Sequence, residues 1–457
     1  MELSSAIICI LFSTLAVSYA WGMRGTVIGG EKGAMLPGAF LGLILSSFAG
    51  MFAGFAPVAA GLMGMTYGGT EPYGETIGMV LHRGRADYHP IRGYTGLALK
   101  GALWFSLCGG FIAISFSYGV YSTTDIAVFC LLIPFIQQLG YWIFNTPYDK
   151  KNGRYPKIFF SLTRREEWGS NLLLLIAMIT MASIRNDSLA LLMIAFGFIF
   201  GAVGWVVAMK CYVYSVFPLI NGKYLFGKLF LSSRVDGWKI MEFILGAFGG
   251  FGLSISFCIG YDYIDVYKSR ASLGGVEFVN ERTAEFVPFV CILCAIGVFA
   301  VNLFSFICDK KNKQVNSYVI DRIERVFYCV IPMIFVLLGE SYSSRFMSGF
   351  MLVFVLIIKL LFDRFKKVNV FTLLVSLALS VVSYFVLVAD GITLLKIILA
   401  GTVPYLAAEL LCVIAKAKSD GAPLKDRLIK TPFITVYPYL VLQSVIIIAV
   451  SCKIFAF

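Results

Sequence analysis

Long apolar runs recur from one end of the chain to the other, separated by short polar stretches. Fourteen are counted, at about 3–20, 34–55, 57–81, 94–118, 125–145, 168–184, 188–209, 238–260, 286–308, 326–344, 346–362, 370–388, 391–414 and 433–455. Most reach the length of about 18 residues or more that a helix needs to cross lipid. They are continuous rather than alternating, which excludes a barrel, and only helices or closed barrels span a bilayer. The expected fold is therefore an all-α polytopic membrane protein with about 14 transmembrane helices. Charge supports the count. Of the 38 Lys and Arg residues, 29 fall in, or at the edges of, the loops that follow odd-numbered spans. A single missed span would invert every later loop, so this bias places the basic loops in the cytoplasm and both termini outside it.

The pattern changes along the chain. Residues 1–260 hold about eight spans, rich in glycine and interrupted in places, and are expected to form the functional bundle. Half of the 44 glycines lie in the first 120 residues, which predicts that backbone irregularity concentrates there. Residues 286–457 hold about six plainer Leu/Val/Ile-rich spans, expected to be scaffold. The longest outer loop, 261–285, is too short for a domain, and no soluble domain is expected. Gly38-Ala39-Phe40 and Gly246-Ala247-Phe248 open spans of equal parity, so the pattern admits a parallel internal duplication of six spans.

Composition removes other classes. The chain is 59% hydrophobic and 14% charged, with a mean hydropathy of +0.84, which a soluble protein of this size could not solvate. The net charge of +12 sits in scattered short clusters between spans, the footprint of topology and not of a nucleic-acid-binding face. Most of the 11 cysteines lie inside apolar runs, where they act as small hydrophobes. Cys291 and Cys294 form C-I-L-C within a span, too apolar for a metal site. No basic residue precedes Ile7, so the first run is expected to stay as a helix and not to be cleaved as a signal. There is no phosphate-cradling G-x-x-x-x-G-K-[ST] pattern. No cofactor or metal is expected.

Candidate chemistry gathers between Trp21 and Arg92. Gly29-Gly30-Glu31-Lys32-Gly33 lies just before a span that carries Pro37 early. It reads either as an anion-binding loop at a helix start or as a solvated turn. The third span cannot be a smooth helix. In Tyr67-Gly68-Gly69-Thr70-Glu71-Pro72-Tyr73-Gly74-Glu75, the proline removes a backbone bond and the glycines weaken the helix further. Broken helices at membrane depth line cavities and mark transporter sites. Glu71 and Glu75 are four apart, so a surviving turn would place both on one face. Adjacent carboxylates share protons readily, which suits proton coupling; pairing with Arg24, Arg83 or Lys100 is the plainer alternative. His82, Asp87 and His89 could act as an acid/base group, though beside arginines at a membrane edge they read first as surface. Loop 145–167 reads as a basic loop on anionic headgroups or as a lid over a vestibule. Asp236 and Glu242 open the eighth span.

Arg24, Glu31, Glu71, Glu75, Lys100, Asp236 and Glu242 all fall in the cytoplasmic half under this topology. Together they predict a polar, cytoplasm-facing cavity built by the first four spans and the eighth. Embedded ionisable groups are expensive and usually functional. The expected function is secondary transport of a small polar solute, anionic ones included, with the glutamates binding a proton, a cation or solute hydroxyls. Two alternatives stand beside it: a membrane-embedded acyl- or glycosyl-transferase at the cytoplasmic face, and a flippase for lipid-linked saccharides. A polar solute and membrane lipids are the expected partners, nucleic acid is not, and small-x-x-x-small patterns allow a homo-oligomer. The expected location is a bacterial cytoplasmic membrane.

Overall fold

The computed structural model describes residues 1–22, 34–50, 53, 56–69, 71–82, 84–85, 87–216, 219–220, 223–224, 237–272, 290, 293–294, 296–301, 303–305, 307–308, 311, 317–331 and 421. The described residues are helical apart from loops and one antiparallel pair of two-residue strands, β1 (Leu219–Ile220) and β2 (Lys223–Tyr224). The helices are α1 (Leu3–Gly22), α2 (Met35–Phe48), α3 (Ala56–Gly69), α4 (Gly74–Leu81), α5 (Pro90–Phe116), α6 (Thr123–Phe144), α7 (Trp168–Ile184), α8 (Ser188–Val216), α9 (Gly237–Ile259) and α10 (Tyr261–Ser272). The helices α1–α9 follow the first eight apolar runs in order, the third as the broken pair α3/α4, and α10 lies in the polar stretch after the eighth. Five helices among the described residues are long and apolar enough to cross a membrane: Leu3–Gly22, Pro90–Phe116, Thr124–Phe144, Ser188–Val216 and Gly237–Ile259. Bulky apolar side chains stand exposed on them. On α6, Leu131, Phe135 and Trp142 are 56%, 71% and 61% exposed, a surface that suits lipid and not water. The chain has the features of a multi-pass membrane protein. The tenth to fourteenth runs lie outside the described residues, except for the first residues of the tenth.

The described residues fall into two units, the first holding α1–α10 and the second residues 290–331. In the second, Ser317–Arg325 runs into a π-helical turn, Val326–Val330, whose Phe327 ring packs against Gly297.

Within the first unit α5 is the central post. Its start follows from local sequence. Pro90 is pre-set for the first helical turn, and the His89 side chain accepts from Arg92 N at 3.3 Å as cap. From Gly96 to Phe116 it is almost wholly buried, packing most extensively on α8 and then on α3. At the start of α6, Ser122 and Asp125 form a reciprocal capping box at 3.1 and 2.8 Å.

Gly69 and Gly74 bound the interruption between α3 and α4, and most described glycines of the first unit sit inside helices, several of them where backbones touch. A Cβ on Gly101 would lie 2.3 Å from the Gly201 carbonyl oxygen across the α5/α8 crossing. On Gly38 it would lie 2.0 Å from the Gly61 carbonyl oxygen between α2 and α3. Without lipid-driven hydrophobic attraction, helices gain by such close approach, which only small residues permit. The two glycines of the suspected repeat follow suit with different partners, since Gly246 abuts the Val17 carbonyl of α1.

This packing predicts an asymmetry. Gly101→Ala forces α5 from α8 and is expected to lower stability by about 1–3 kcal/mol, as overpacking does. Gly74→Ala has nothing within 4 Å of the new methyl and should stay within about 0.5 kcal/mol of wild type. Thermal midpoints in detergent read both.

Candidate functional site at the broken helix

The break between α3 and α4 is where the backbone loses its own partners. Pro72 has no N–H to give, Glu71 N reaches back to Gly68 O at 3.1 Å, and the next turn starts with Ile77 N on Tyr73 O at 2.9 Å. Two carbonyls left over are taken by side chains. Asn171 Nδ2 of α7 donates to Tyr67 O at 3.0 Å, and Lys100 Nζ of α5 donates to Pro72 O at 2.7 Å. Freed backbone groups inside a membrane protein need such partners, because nothing in the surroundings can supply them.

Lys100 is fully buried. Besides Pro72 O, its ammonium donates to Thr76 Oγ1 at 2.9 Å and to Glu166 Oε1 at 2.7 Å. Glu71 Oε2 lies 4.0 Å away. Four oxygens thus surround one nitrogen. Glu166 accepts Phe160 N on its other oxygen at 2.6 Å, and Glu71 Oε1 accepts Glu167 N at 2.7 Å. Thr76 Oγ1 in turn donates to Phe160 O at 3.0 Å. The segment 160–167 is therefore folded onto the break. Glu71, Glu166 and Glu167 are all buried, and Glu71 Oε2 has no hydrogen bond. Of the two readings of loop 145–167, its inner half is packed protein, while its tip at Lys150–Arg154 is exposed.

The other side of the break carries a second acid. Tyr73 OH donates to Glu242 Oε1 of α9 at 2.8 Å, and Trp238 Nε1 donates to the same oxygen at 3.0 Å. Lys239 Nζ bridges Glu242 Oε2 at 2.7 Å and Gly22 O at 3.0 Å. The Tyr73 ring lies 5.2 Å from Trp205, 5.6 Å from Trp238 and 6.1 Å from Trp104, which stacks at 5.4 Å on Trp21. Three of the six tryptophans thus gather around one residue of the break, with a fourth stacked behind them. Tyr73 and Trp238 are only half-buried.

Glu75 turns away from Glu71. In the first turn of α4 it accepts Arg85 Nη2 at 2.8 Å, and the same guanidinium grips Asp87 at 2.7 and 2.8 Å. That pairing holds the Asp87 carboxyl below its ordinary range and pushes Arg85 up. His82 ends α4 and His89 caps α5. The expected face shared by Glu71 and Glu75 is therefore absent: Pro72 ends the helical turn between them, and Glu75 pairs with Arg85 while Glu71 lies 4.0 Å from Lys100. Arg24, Glu31 and Asp236 lie outside the described residues.

The sequence reading missed Glu166, Glu167, Tyr73 and Asn171. One signal was there: two acids immediately before an apolar run, in a loop otherwise dominated by basic residues. It also missed Asp187, which is fully buried before α8. Its carboxylate caps Ala190 N at 3.0 Å and accepts Ser117, Tyr121 and Tyr267 hydroxyls at 2.5, 2.8 and 3.2 Å. Burial first, and that carboxylate second, push the Tyr121 and Tyr267 phenols up.

No protein-family profile, curated protein or solved structure matches the chain.

What the arrangement can do follows from its charges. Around Lys100, two carboxylates face one ammonium in a buried setting, so with both ionised one negative charge would be left over among the described residues. Such charges are tolerated only when neutralised and hydrogen-bonded. Removing one partner of the closest pair should then be severe. Lys100→Met is expected to cost about 3–5 kcal/mol by leaving the buried Glu166 and Glu71 carboxylates without their cation. The Lys100→Met/Glu166→Leu double variant should lose less than the two single variants added together. A double-mutant cycle on unfolding midpoints checks both statements.

Proposed function

We propose that the protein is a secondary transporter for a small polar solute and works at the break between α3 and α4. The observation that carries this reading is Glu71. It is a buried acid at a helix break, beside a lysine already held by Glu166, with one oxygen lacking any hydrogen bond. A proton on Glu71 would neutralise the excess charge, and its loss would change the balance around Lys100. That couples the break, α5 and segment 160–167 to an ion gradient. Broken helices at mid-membrane are how carriers present such groups. The solute side of the proposal is the half-buried Tyr73 and Trp238 over Glu242, an aromatic surface beside an acid that accepts hydroxyl or amino groups. The fuller topology belongs to the same proposal: fourteen spans, basic loops in the cytoplasm, both termini outside, and the six-span duplication.

Two members of the acid/base set considered for a transferase are otherwise engaged. Asp87 is engaged by Arg85, and His89 accepts from the backbone of α5.

The test starts from purified wild type screened against sugars, organic acids and amino acids, because a solute that binds the folded state raises its midpoint. The stabilising solute is then followed into proteoliposomes under an imposed pH gradient. Wild type should accumulate it. Glu71→Gln should equilibrate it across the membrane but lose at least about tenfold of the gradient-driven accumulation, the size of an ordinary coupling term. Full accumulation by Glu71→Gln would end the proposal.

A further inference from the structure

The oxygens around Lys100 outnumber the three N–H donors of its ammonium. Here a backbone carbonyl freed by Pro72, the Thr76 hydroxyl and the Glu166 carboxylate converge at 2.7–2.9 Å, and a second carboxylate waits at 4.0 Å. These are hard, neutral and anionic oxygen donors around one point, the set that an alkali or alkaline-earth cation selects. The point is fully buried, and the unused acceptor, Glu71 Oε2, is itself buried without a hydrogen bond. The lysine reaches it from α5 while all the oxygens belong to the α3/α4 break, α4 and segment 160–167. The donor set is therefore complete without the residue that fills it.

We infer that this is a monovalent-cation site whose cation is built into the chain: the Lys100 ammonium stands where Na+ would otherwise bind. Two consequences follow. In the wild-type protein the ammonium occupies the point where these oxygens converge, so stability does not depend on Na+. Removal of the lysine side chain empties the site and leaves two buried carboxylates, a carbonyl and a hydroxyl facing one another. That arrangement requires a cation, and free Na+ should enter. The inference shares its site with the proposed transport function but does not use transport. A protein that moves no solute could still hold this site, and a carrier could work without it.

Thermal unfolding of full-length detergent-purified protein tests it, with NaCl titrated against N-methylglucamine chloride at constant ionic strength. Wild type should show the same midpoint in both salts. Lys100→Ala should fall well below wild type in N-methylglucamine and recover by several degrees in Na+, saturably, as a bound ligand must. Adding Glu166→Gln to Lys100→Ala should abolish the recovery. A Na+-specific rise in wild type would overturn the inference, because the site would then not be filled. A folded Lys100→Ala that ignores Na+ would overturn it equally. Should Lys100→Ala be too unstable to purify in either salt, the wild-type titration still decides, and Lys100→Ser, which keeps a hydroxyl at the site, replaces it in the Na+ arm with the same two readings.

Discussion

Everything at the break depends on one buried charge. An ammonium with no exposure must be held by several acceptors, or the fold would shed it. Lys100 therefore gathers what it needs from separate parts of the chain: the Pro72 carbonyl, the Thr76 hydroxyl and the Glu166 carboxylate. Each acceptor then fixes something else. Glu166 draws in Phe160 N, and Glu71 draws in Glu167 N, so a polar segment ends up inside the bundle. The interrupted helix is tolerable because α5 carries its missing donor, and α5 can sit that close because Gly64 and Gly68 have no side chains. A Cβ on Gly68 would lie 2.3 Å from the Trp104 ring.

The break also has two unlike sides. Toward Lys100 it is buried, ionic and closed by segment 160–167. Toward α9 it offers Tyr73 and Trp238 over Glu242, with aromatic rings behind. Pro72 and Tyr73 are adjacent, so in the proposed carrier a change in how Lys100 is shared would reach the residue whose hydroxyl binds Glu242. A single peptide unit joins the charge side to the solute side, and this adjacency is the physical basis for coupling in the proposed carrier.

The apolar periodicity was legible because lipid imposes length and continuity on each helix. The break was legible too, since Pro72 among glycines cannot propagate a helix. Lys100 and Glu71 stood out as ionisable residues in apolar surroundings. Glu166 and Glu167 did not, because a short basic loop is by default solvated and carries no period to show that part of it turns inward. Tyr73 on Glu242 was hidden for another reason: the partners are far apart in sequence, and an aromatic residue near a helix end has many plausible neighbours. The glycines at the break mark the irregularity expected of them, but others mark helix crossings. Their number alone does not tell a bend from a crossing; only the neighbouring backbone does, as at Gly101 and Gly201.

The central claim is that Lys100 holds the break and segment 160–167 together. Hydrogen exchange by mass spectrometry on Lys100→Met reads this most directly. The amides of Phe160 and Glu167, which bond to the two carboxylates, should exchange at least about tenfold faster than in wild type if the lysine contributes about 1.4 kcal/mol or more to local closure. Peptides from α8 should be unchanged. Unchanged protection at residues 158–168 in a folded Lys100→Met protein would contradict the account.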